Sequence, residues 1–223
     1  MNKEWSELNK EFQNNLNKES TFKQGIDNLL ILRTLLIDEV LKLRESLSEN
    51  EFSLAPLSKS NGYERKTITY SLYHIFRIED IVCNILINNR TDILKSNDFA
   101  NRINLTAITT GNELTPEEVL LFSTKMNIQQ LYEYIEMVFN TTNSFIINLK
   151  YSDLKTSFSD IDIQRIIASR TVSTHPDANW LIDYWCSKNI KGLLRMPFSR
   201  HWIMHIEASL RILNAIKKNN GNN

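Results

Sequence analysis

The stretch NLLILRTLLIDEVLKLRESL, residues 28–47, decides the fold class. Leu29, Leu32, Leu36, Val40, Leu43 and Leu47 recur in steps of three and four. That is the period of one helical face, whereas a half-buried strand alternates every second residue. Arg33 interrupts the apolar run, which stays far short of the ~18 residues that a membrane helix needs. The stripe predicts a long amphipathic helix over about 21–48 that must bury one face against partners.

The same period returns further along the chain. A second helix is predicted over about 65–88, with Thr67, Ser71, His74, Ile78, Ile81 and Ile85 on one face and Ile75, Val82 and Leu86 beside it. A third over about 128–149 carries Ile128, Leu131, Ile135, Val138, Thr142, Ile146 and Leu149. A fourth over about 199–217 carries Phe198, His201, His205, Ala208, Ile212 and Ile216. Trp5, Leu8, Phe12 and Leu16 mark an accessory helix within residues 1–19. In LTPEEV, Thr115 is a helix cap, Pro116 suits the first helical position, and Glu117 and Glu118 meet the positive end of the helix dipole. Residues 91–114 and 152–197 read as mixed short helices and turns, and 217–223 as a frayed tail. Gly and Pro number only 5 and 4 among 223 residues, about a third of the usual share. Sheets need turns built from those residues, so the composition argues against a β or doubly wound fold. The expectation is a single all-α domain over 1–223, an up-and-down four-helix bundle with extra short helices.

Charge and cysteine narrow the function. Lys plus Arg and Asp plus Glu each total 26, so no net field draws the chain to nucleic acid or anionic lipid. The polar N-terminus shows no secretory signal. Cys83 and Cys186 form no CxxC pair and read as small core residues, which suits a reducing cytoplasm.

Three of the four histidines lie on inward stripes. His201 and His205 are four apart, so their Cβ atoms lie roughly 5–6 Å apart on one helix face. His74 occupies the corresponding face of another helix. Three imidazoles can share one ion at about 2.0–2.1 Å per bond and leave a coordination position open. The competing reading is three separate hydrogen-bonded core histidines, where each unsatisfied ring would cost roughly 1–3 kcal/mol. HWIMH places Trp202 where a zincin needs Glu. Ser71, Phe198 and Trp202 stand three before the histidines, where a di-iron bundle needs Glu. No nucleotide-loop or nucleophile-elbow motif occurs. His175 reads as a loop residue beside Pro176, and Trp180, Tyr184 and Trp185 read as core.

SLYHIFRIEDI at 71–81 and LLRMPFSRHWIMHIEASLRI at 193–212 resemble the DinB-like superfamily. That superfamily also holds YfiT-type proteins, bacillithiol transferases and mycothiol-dependent isomerases. Its signature is one histidine early in the second long helix and His-x-x-x-His in the last, matched here by His74, His201 and His205. The resemblance spans about residues 20–215. It implies one divalent metal ion, zinc or nickel, since imidazole suits both. It implies activation of water or of a low-molecular-weight thiol, hence thiol S-transfer or hydrolysis on a small electrophilic substrate. It also implies a homodimer, to which the flanking Leu30, Ile37 and Leu41 would contribute. Arg77 and His175 are candidate supporting residues. The alternative is a non-catalytic, stress-induced bundle with a structural or vestigial metal.

Overall fold

The structure, a computed structural model, describes residues 2–221. Helix α1, Lys3–Asn15, is capped by Asn2, whose side chain accepts from the amides of Glu4 and Trp5. It lies along α2, Glu19–Ser46, and buries Trp5 and Phe12. The stripe of α2 is buried at Leu29, Leu32, Leu36, Val40 and Leu43. Leu47 is extended and only half-buried, because the helix stops one residue earlier. A 3₁₀ turn at Glu49–Ser53 follows.

Helix α3, Ile68–Asp80, begins at Thr67, whose hydroxyl accepts from the Tyr70 amide. It widens into a π-helical segment at Ile81–Ile87. Short helices α4, Ile93–Ser96, and α5, Phe99–Arg102, fill part of the stretch that reads as mixed. Helix α6, Pro116–Lys125, starts with the predicted cap: Thr115 and Glu118 satisfy each other's backbone amides. Helix α7, Ile128–Ile147, buries its predicted stripe. Then come α8, Asp160–Ser169, α9, Pro176–Cys186, and α10, Ile190–Arg195. A π-helical turn at Met196–Arg200 leads into α11, His201–Asn220. Lys217–Asn220 are therefore helical where the sequence predicts fraying; Asn222 and Asn223 lie outside the described residues.

The protein is all-helical. Among the described residues the one isolated β-bridge joins Ser157 and Asn189. None of the described helices is long and apolar enough to cross a membrane. Helix α3 is the hub: it packs on α7, α11 and α6, and α2 packs on α11 and α7. This changes the reading of the second helix. Periodicity predicts one inward face with a second apolar face beside it, yet every residue of α3 is buried, including Arg77, Glu79 and Asp80. Partners surround the helix, so its charged residues pair inside the core. Arg33 of α2 is also fully buried. It binds Glu79 through two nitrogens at 2.9 and 2.7 Å, Asn143 of α7 at 2.7 Å and the Phe198 carbonyl at 3.0 Å.

Candidate metal centre

His74 enters from the second turn of α3, and His201 and His205 from the first two turns of α11. Helical spacing puts the latter two on one face, and α3 packs directly against that face. The three rings converge with centroids 4.7–5.0 Å apart. One nitrogen from each lies within 4.8 Å of the others, and His74 and His201 approach at 3.2 Å between Nε2 atoms. Tetrahedral zinc with bonds of about 2.0–2.1 Å sets neighbouring nitrogens roughly 3.3–3.4 Å apart, so the closest pair already matches a shared ion.

The tautomer of His74 follows from its partner. Nδ1 lies 2.8 Å from the Thr110 carbonyl, and a carbonyl only accepts. Nδ1 therefore carries the proton, and Nε2 presents its lone pair to the other histidines. In contrast, Nδ1 of His201 and Nδ1 of His205 are buried without a partner. The donor set fits a borderline divalent ion.

Burial lowers the pKa of His74 from 6.5 to about 4, against the Thr110 bond, which pulls it up. Burial also holds His201 and His205 well below the usual range, and the neighbouring imidazoles and Lys66 push the same way. Neutral imidazole is the ligand form, so these rings need shed no proton before binding an ion. Lys66 is itself half-buried, and burial followed by Arg211 lowers its own pKa.

A strap over α3 holds the Thr110 carbonyl in place. Tyr70 donates to the Gly111 carbonyl at 3.0 Å, Tyr73 to Thr109 at 2.7 Å and Arg77 to Ile108 at 2.8 Å. With His74 these side chains sit at i, i+3, i+4 and i+7, a single helical face bound to four consecutive carbonyls. Tyr70 also stacks on His74 at 5.5 Å with 20° between the rings.

Of the two supporting residues expected from the sequence, neither joins the cluster. Arg77 is fully buried and spends its remaining bonds on Asp80 and Asp92 at 3.2 and 2.7 Å. It serves the strap rather than the histidines. His175 is exposed and caps α9, its Nδ1 accepting from the Asp177 amide at 3.2 Å. Cys83 and Cys186 are buried, and burial pushes their thiols up to about 12 and about 11, as inert core residues require.

A cavity of about 200 Å³ opens beside His74 and His201. Helix α9 and the π turn before α11 supply most of its wall, including Trp180, Tyr184 and Trp185. Trp185 is core, as expected, but Trp180 is 49% exposed and belongs to the cavity mouth. The sequence gives no sign of the strap, Tyr70 or Lys66 as neighbours of the histidines, since their roles depend on backbone carbonyls and on contacts across the fold. No protein-family model matches the chain, and no curated protein matches it in sequence.

Proposed function

We propose that the chain is a metal-dependent enzyme of the DinB-like type, an up-and-down four-helix bundle in which His74, His201 and His205 hold one divalent ion, zinc or nickel. The reaction is transfer of a low-molecular-weight thiol to a small electrophile, with hydrolysis as the sister chemistry, carried out in the cytoplasm by a homodimer. The substrate is a small molecule and not nucleic acid. The observation that carries this reading is the convergence of three neutral imidazoles beside a cavity. When bound, the ion supplies Lewis acidity, which lowers the pKa of a water or thiol.

The chain's own residues do the rest. Thr110 fixes the His74 tautomer, and Tyr70 packs against its ring face. The Met196–Arg200 turn sets where His201 begins its helix. Trp180, Tyr184 and Trp185 line the cavity beside the histidines. A closed structural site would need a fourth protein ligand, and the metal-competent group among the described residues comprises three. That favours an enzyme over a non-catalytic bundle.

The test is elemental analysis of the purified wild type and four single variants. His74→Ala, His201→Ala and His205→Ala should each lose most of the bound metal, and His175→Ala should keep it. Ligand loss should weaken affinity by at least the 10–100-fold typical of losing a supporting partner. Equal metal in all five proteins, or none in reconstituted wild type, would overturn the reading.

A further inference from the structure

Three histidines say what chemistry is available but not which molecule receives it; the adjoining cavity carries that information. Its volume of about 200 Å³ exceeds the ~150 Å³ that accepts benzene. It falls below the roughly 300–1,000 Å³ of sites for drug-sized ligands. A single ring with a short substituent fills it. Helix α9 contributes Trp180, Leu181, Tyr184 and Trp185, spaced as one helical face, and the π turn contributes Met196 and Pro197. These surfaces are flat, aromatic or aliphatic, and suit the face of a planar apolar group. None of the lining residues is Asp, Glu, Lys or Arg. In the metal-free chain a charged ligand would shed its hydration there with no counter-charge to replace it. Asn112 borders the cavity, and its buried amide oxygen has no partner in the protein. A donor on the ligand is what that position lacks.

We infer that this cavity is the substrate pocket and takes a compact neutral molecule with an aromatic or other planar apolar body about one ring in size. Its reacting atom lies at the histidine end, and a single polar group faces Asn112. The inference rests on the proposed metal chemistry for its consequence, but not for binding. It is tested on the full, metal-free chain with toluene as the neutral probe and benzenesulfonate as the charged one. Toluene should shift the indole N–H resonances of Trp180 and Trp185 and leave that of Trp5 unmoved. Benzenesulfonate should bind at least about tenfold more weakly, the scale expected when a charge enters an apolar site. Trp180→Ala should weaken toluene about tenfold through lost apolar contact; Trp180 is half exposed, so its removal spares the core. No toluene shift at Trp180 and Trp185, an equal shift at Trp5, or equal affinity for the two probes would overturn the inference. Metal content is read separately. A chain that binds toluene here but no metal keeps the pocket and loses the metal reading; one that loads metal but ignores toluene does the reverse.

Discussion

Gly111 shows how much can hang on one hydrogen atom in place of a side chain. It sits at φ +79, where L side chains are strained, and a Cβ would stand 2.9 Å from Cε2 of Tyr70. Tyr70 is packed on His74, so the ring cannot simply swing away. Gly111→Ala should cost about 1–3 kcal/mol from the backbone conformation alone. It should also displace the Thr110 carbonyl and weaken metal binding by about 10–100-fold. Urea unfolding and chelator competition measure the two effects. Unchanged metal affinity in a destabilised variant would show that the strap does not position His74. The three histidines were legible in the sequence, because side chains at helical spacing announce a shared face. The strap was not. Its contribution to the site is a backbone carbonyl, which every residue has, and glycine's role there needs the Tyr70 ring, forty-one positions away by hydrogen bond to Gly111.

Between elements, the Arg33–Glu79 pair ties α2 to α3, and Arg33 reaches on to the turn that leads into α11. Glu79 lies on α3 with His74, and Arg33 also grips the Phe198 carbonyl, one turn before His201. Trp202 stacks on the guanidinium at 4.5 Å. Removing one partner leaves an unpaired buried charge, so Arg33→Met should cost about 3–5 kcal/mol. The double variant Arg33→Met, Glu79→Leu should cost less than the sum of the singles, because no charge is stranded. A double-mutant cycle by denaturant unfolding checks this; additive losses would count against the pair. Helix periodicity predicted α2, α7 and α11 to within a few residues at their ends and identified their buried faces. It could not show that Arg33 enters the core, because its partners lie 46, 110 and 165 residues away. Nor could it show the π-helical segments, where a wider turn continues the same apolar pattern.

For the molecule as a whole, the three imidazoles, two buried and that of His205 half-buried, make acid a denaturant. Folding lowers the His74 pKa from 6.5 to about 4 and holds the other two well below 6.5. The unfolded chain therefore binds more protons as pH falls below 6.5, and stability declines with it through the window down to about 4. Each such histidine contributes up to about 1.4 kcal/mol per pH unit. Metal-free protein should show a falling urea midpoint between pH 7 and 5, and His74→Gln should flatten that slope by about one proton. An identical slope in the variant would remove His74 from the account. The proposed homodimer would use the groove of about 360 Å³ between α2 and α7, which includes Ile37 and Leu41, the latter 47% exposed. Light scattering should give twice the chain mass of 26.1 kDa across concentrations, and a monomer mass throughout would refute it. Low Gly and Pro content gave away the all-helical class because it speaks for the entire chain at once. The proposed dimer face is one that the α2 stripe reveals only in part: Ile37 is buried within the chain while Leu41 remains outside.

The bond from His74 to Thr110 also gives the protein a resident spectroscopic reporter. A ring N–H whose nitrogen lies 2.8 Å from a carbonyl oxygen inside the fold should exchange slowly with water and resonate far downfield, clear of the amide envelope. It sits on the nitrogen turned away from the cluster, so it survives when the other nitrogen is engaged. Its shift would follow the occupied fraction of the site without any label.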